Sequence, residues 1–153
     1  MDGNPNEIEG TIPTQFGNLP DLYILDLDEN ALTGTIPEEL YSATKLQQLD
    51  LDSNQLTGTI STLLGTLSDL RFLQIFNNPI SGTFPNAELE QLSLIVSIGL
   101  QQMDLTGTVS DTLCAMRDNQ GGTIENLYVD CLEPAEVVCP GAPDSQVCCN
   151  RCY

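Results

Sequence analysis

The sequence predicts a short right-handed α/β-type solenoid. It has about five 24-residue repeats, a parallel β-sheet on its concave face, and a convex side of irregular or 3-10 turns. Three observations carry this. First, residues return at a fixed interval of 24: Asn30, Asn54 and Asn78 at one phase, Gly34, Gly58 and Gly82 at another, Leu32, Leu56 and Ile80 at a third. A period of this size marks stacked supersecondary units. Second, the repeats open on alternating leucines, Leu25-x-Leu27 and Leu49-x-Leu51, the period-two pattern of a strand with one buried side. Third, Pro13, Pro37 and Pro85 follow the Ile or Phe of each second half, on the way to a convex return that carries Leu40 and Leu64.

Taken in order, residues 1–21 are a partial repeat in which Asn6, Ile8, Gly10, Ile12 and Pro13 match the second half of the unit. Its leading strand is missing, so its core side is expected to stand open to solvent. Residues 22–45 and 46–69 are full copies; Ser61 takes the proline position in the second. Residues 70–94 carry one extra residue, placed between Phe84 and Ile95 in the convex return, where insertions are tolerated. Residues 95–117 form a fifth copy with Met103 at the asparagine phase. A side-chain amide donates and accepts at once. Asn6, Asn30, Asn54 and Asn78 should therefore form a ladder that satisfies the buried turns of adjacent coils, with Met103 ending it. After the turn-rich break at 118–122, Ile124, Leu127 and Val129 are spaced for one final strand.

Within each copy the pattern is L-x-x-L-x-L-x-x-N-x-L-x-G-x-I-P. It resembles the leucine-rich repeat in its plant-type form. Residues 1–117 read as repeats and residues 118–153 as a cysteine-rich C-terminal cap of the same structural domain. The ending resembles the caps of secreted or surface repeat proteins of algal, diatom-like origin. The resemblance implies a non-catalytic recognition module, part of a receptor-like or secreted protein, that binds a protein, peptide or glycan on its concave face.

Composition narrows the partners. Twenty-two acidic residues stand against four basic ones, Lys45, Arg71, Arg117 and Arg151, a formal net charge of −18. Such a field repels nucleic acid and anionic lipid. No apolar run is long enough to insert into a membrane. Residues 1–5 do not read as a signal peptide, and the opening in mid-repeat points to a fragment or an incomplete N-terminal end. All six cysteines, Cys114, Cys131, Cys139, Cys148, Cys149 and Cys152, lie in the last 40 residues. This clustering suggests disulfides and an extracellular or cell-surface setting. Their spacing, with a vicinal pair and no histidine, is poor for zinc. The chain has no histidine, which removes Ser/His and Cys/His nucleophile arrangements. No enzyme is expected.

Three surface features stand out. The outward positions of successive strands form columns: Ile24, Gln48, Phe72, Ser97; then Asp26, Asp50, Gln74, Gly99; then Asp28, Asp52, Phe76, Gln101. Phe72 and Phe76 share a strand and are both expected to point outward as a binding hot spot, with Ile24 beside them and Gln74 in the polar field. Asp26, Asp28, Asp50 and Asp52 are expected to select charge. They meet either basic groups of a partner or, as the possible cofactor, Ca²⁺, although they lack the ligand count of a full calcium loop. The third feature is a pair of hydroxyl rows: Thr11, Thr35, Thr59, Thr83 and Thr108, then Thr33, Thr57, Ser81 and Thr106. These rows and the acidic face give the alternative function, a surface-acting structural protein that binds ice or mineral.

Overall fold

The computed structural model describes residues 7–116, 122–130, 137–138 and 151–152. Asn6, Cys131, Cys139, Cys148 and Cys149 lie outside the described residues, and Cys152 enters only through strand backbone.

Successive coils alternate between two kinds of strand. In chain order these are β1 (Glu9–Thr11), β2 (Ile24–Asp26), β3 (Ala31–Gly34), β4 (Gln48–Asp50), β5 (Gln55–Leu56), β6 (Phe72–Gln74), β7 (Ser81–Thr83), β8 (Ser97–Leu100), β9 (Asp104–Thr108), β10 (Asn126–Val129), β11 (Val137–Val138) and β12 (Arg151–Cys152). The main sheet runs β12-β10-β8-β6-β4-β2, all parallel. It therefore continues past the turn-rich break near residue 118. Two shorter parallel sheets, β1-β3-β5 and β11-β9-β7, run along its flank, and a single bridge between Thr59 and Ser81 joins them.

Register follows the repeat. Leu25 pairs with Leu49, Leu49 with Leu73, Leu73 with Ile98, and Ile98 with Leu127. All five are buried, because period-two alternation turns one side of every strand inward. Each fully buried Leu or Ile contributes about 1.5–3 kcal/mol of transfer free energy. Ile8, Leu19, Tyr23 and Ile24 are exposed apolar side chains of the first described coils, whose strands β1 and β2 are edge strands of their sheets.

The convex returns begin as 3-10 turns at Thr14–Asn18, Glu38–Ser42 and Thr62–Thr66. The next two become short α-helices, α1 (Asn86–Leu89) and α2 (Asp111–Ala115). The extra residue of the fourth copy falls in the return that α1 opens. Where proline is absent, serine does other work. The Ser61 hydroxyl accepts from Leu63 N–H and the Ser110 hydroxyl from Leu113 N–H, each capping its return.

Between the strands, the asparagines reach backward. Asn54 Oδ1 accepts from Leu32 N–H at 3.0 Å, and its amide donates to the carbonyls of Leu27, Leu51 and Asp52. Asn78 repeats this one coil later, accepting from Leu56 N–H and donating to Leu51, Ile75 and Phe76. Asn30 accepts from Ile8 N–H and donates to Leu27 and Asp28. Asn54 and Asn78 are buried, while Asn30 is half-buried. Met103 has no amide to offer. Asp130 supports that turn from the far side, its two carboxylate oxygens accepting from Gln102 N–H at 2.8 Å and Met103 N–H at 3.0 Å.

Candidate functional site

The main sheet leaves one side bare, and the outward columns lie across it. Ile24, Gln48, Phe72 and Ser97 pair directly across β2, β4, β6 and β8, as do Asp26, Asp50, Gln74 and Gly99. Ile24 is 59% exposed and Phe72 42% exposed. Phe76 differs from expectation: it is half-buried. The cause is Gly99, which leaves a hollow that Phe76 and Gln74 fill. A Cβ at Gly99 would stand 3.1 Å from Phe76 Cδ1 and 2.1 Å from Gln74 Oε1. Gln74 also donates from Nε2 to Ser97 Oγ at 3.1 Å. Gln101 is buried, with its carbonyl oxygen sealed and unpartnered. Of the two phenylalanines, Phe72 is the more exposed.

The four aspartates do come together. Asp26 lies directly opposite Asp50, and like charges so placed repel. Asp28 has its carboxyl raised above the usual range, first by a hydrogen bond with Asp26, then by burial and by the charges of Asp26, Asp52 and Glu29. Asp50 is pushed up to about 7, first by burial, then by a hydrogen bond and repulsion from Asp52. Its Oδ1 is sealed from solvent and has no hydrogen-bond partner. Asp52 accepts from Ser53 Oγ at 2.8 Å. Among the described residues the ion pair is Lys45 with Asp21 at 2.6 Å, elsewhere on the surface, so no internal cation answers these four carboxylates. Nor does any group of three or more His, Cys, Asp or Glu among the described residues converge to hold a metal ion. The calcium reading therefore gains no ligand set.

The hydroxyl rows divide by role. Thr33, Thr57, Ser81 and Thr106 each donate to a glycine carbonyl of the preceding coil, at Gly10, Gly34, Gly58 and Gly82. Thr11, Thr35 and Thr59 cover Gly34, Gly58 and Gly82 of the next coil with their methyls; a Cβ at Gly58, whose φ is +86, would stand 2.8 Å from Thr35 Cγ2. Glycine is required there both by the left-handed backbone and by the neighbouring methyl. Near the end of the ladder, Asn54, Asn77, Asn78, Gln102 and Met103 line an open hollow of about 420 Å³. Cys114 is disulfide-bonded. No helix among the described residues is long and apolar enough to cross a membrane.

Comparison with known proteins places this geometry in context. A family model described as leucine rich repeat matches residues 4–56. No curated protein matches the chain. Among solved structures, the chain is similar to the plant peptide hormone receptor RGFR1 in complex with RGF2. That match has 33% identity and a TM-score of 0.74, covering 85% of this chain and 20% of the receptor. It is similar to a plant ice-binding protein at 25% identity and a TM-score of 0.69, covering 87% of this chain and 42% of that one. The leucine-rich repeat ectodomain of the receptor kinase SOBIR1 from Arabidopsis thaliana has a TM-score of 0.74 at 23% identity, covering 90% and 70%, a likeness of fold alone. The chain thus spans about a fifth of the length of the peptide hormone receptor.

Proposed function

We propose that this chain, a plant-type leucine-rich repeat protein, is a non-catalytic recognition module that binds a protein or peptide on the concave face of its main sheet. The observation that carries the reading is Phe72, an aromatic ring 42% exposed on a bare sheet face, in one column with the exposed Ile24 and the polar Gln48. Exposed aromatics in such settings are the usual anchors of binding energy, and a repeat array contacts its partners along this surface. The likeness to a peptide hormone receptor bound to its peptide supports the same use. In this reading the module is extracellular or at the cell surface. Residues 1–117 are the repeats, and 118–153 form a disulfide-bonded cap.

The ice reading has weaker support. One of the two hydroxyl rows spends its donors on glycine carbonyls of the preceding coil. A thermal-hysteresis assay separates the two readings.

Capture from an extracellular extract by the oxidised protein, beside its Phe72→Ala variant, tests the proposal. A partner held by the unsubstituted protein and lost by the variant is the expected result, with the melting temperature nearly unchanged because the ring packs little of the core. Equal capture by both would remove Phe72 as the anchor and the reading with it.

A further inference from the structure

Resting on the recognition reading above, we infer that the concave face takes an extended peptide carrying a Lys or Arg two residues from an apolar side chain. The cation lies over Asp26, Asp28, Asp50 and Asp52, and the apolar residue lies on Phe72.

The carboxylates alone would not define a site; three further observations do. The first is the absence of compensation. Asp26 faces Asp50 across the ladder, and no described Lys or Arg pairs with any of the four. Like charges so placed gain when a cation is brought onto them from outside. The second is the shape of the cluster. Asp26 and Asp50 end β2 and β4, Asp28 and Asp52 follow two residues on, and the four do not converge into a metal-binding set. A guanidinium, flat and with five N–H donors, or an ammonium with three, can serve several oxygens in a row.

The third is the position of Phe72. It pairs with Gln48, and Gln48 is two residues before Asp50 on β4. With strands about 4.8 Å apart and a rise of about 3.3 Å per residue, the Cα atoms of Phe72 and Asp50 are about 8 Å apart. Side chains at i and i+2 of an extended peptide point the same way, about 7 Å apart. One peptide can therefore set an apolar side chain on Phe72 and a cation on Asp50. The face also gives it a direction. Beyond β6 the columns turn to Ser97 and Gly99, which carry no charge, so the cationic end points toward β4 and β2. A neutral glycan or an acidic peptide would leave the four carboxylates unanswered.

The test uses the oxidised full chain and four fluorescein-labelled synthetic peptides of Gly and Ser. One carries Leu and Arg two apart, one carries them adjacent, one has Glu in place of Arg, and one has Gln. Fluorescence anisotropy is read at low and physiological salt. The two-apart Arg peptide should bind about tenfold more tightly than the Glu and Gln peptides and more tightly than the adjacent one, with affinity falling as salt rises. Asp50→Asn with Asp52→Asn should remove that advantage; the double variant relieves repulsion and is expected to fold. Equal binding of the Arg and Glu peptides, or an undiminished advantage in the double variant, overturns the inference. The two proposals fail separately. If the extract partner is lost by Phe72→Ala but kept by the double variant, the cationic peptide falls and the recognition module stands. If the partner ignores Phe72→Ala, the recognition reading itself falls.

Discussion

Replacing Asn54 by alanine should cost the fold about 2–4 kcal/mol. The figure follows from the bonds lost. Leu32 N–H, at a buried site, loses its 3.0 Å acceptor, and the carbonyls of Leu27, Leu51 and Asp52 lose their amide donor. A buried donor left without a partner costs about 1–3 kcal/mol, and the weakened carbonyls add the remainder. Burial leaves little room for water to substitute, since Asn54 is only 8% exposed. Asn30→Ala is the control. Asn30 serves Ile8 N–H at an exposed site, where water can take over, so its loss should cost about 1 kcal/mol or less. Urea unfolding followed by circular dichroism gives both numbers from the midpoint, provided the slope m is unchanged. The reasoning fails if Asn54→Ala lies within experimental error of the unsubstituted protein, or if Asn30→Ala costs as much.

Two further outcomes follow from the carboxylates. Asp50 sits at about 7 when folded against 3.8 for the free group, so the folded chain holds an extra proton between those values and its stability falls as pH rises through them. Asp26 and Asp28 face it from the coil of β2 and Asp52 from its own coil, while the coil of β6 presents Gln74 and Phe76, which carry no titratable group. Asp50→Asn should flatten that part of the pH profile and raise the melting temperature above pH 7, an effect of about 1 kcal/mol once solvent screening of a half-buried carboxyl is allowed for; a variant whose profile parallels the unsubstituted protein's refutes the assignment. Asp130→Ala removes the acceptor shared by Gln102 and Met103 N–H and should destabilise by about 1–3 kcal/mol, read by the same urea titration, with no change refuting its role at the broken ladder.

The period of 24 makes the coil legible before any coordinates, because leucine alternation and the interval together leave few ways to bury the apolar side. The columns of the bare face follow from the same register. What sequence reasoning could not tell apart is Phe72 from Phe76. They share parity along one coil, Phe76 lying two residues past β6, and the difference between them is made by Gly99 on the next. The hydroxyl rows look alike in sequence, yet one turns its donors inward and the other seats its methyls on glycine, a distinction set by the offset between flanking strands. Asp130 escaped notice because it lies beyond the regular interval; its place in the aspartate column, one residue after β10, was the available signal. The serine cap at Ser61 reads only as a departure from proline until its hydroxyl is seen accepting a main-chain N–H, as that of Ser110 also does.

Between coils, the asparagine ladder and the hydroxyl row reach one way. Asn30, Asn54 and Asn78 each serve an N–H of the coil before their own, and the row of Thr33, Thr57, Ser81 and Thr106 does the same for a carbonyl. The main chain runs both ways: Leu27 and Leu51 N–H donate forward to the carbonyls of Asp50 and Gln74, while Ala31, Gln47 and Arg71 N–H donate back to those of Ile8, Tyr23 and Gln47. Every coil is thus held by both its neighbours, and the two side-chain rows add a bias to one of them. A coil that loses its successor loses that added share, and where the asparagines stop Asp130 supplies it to Gln102 and Met103 N–H.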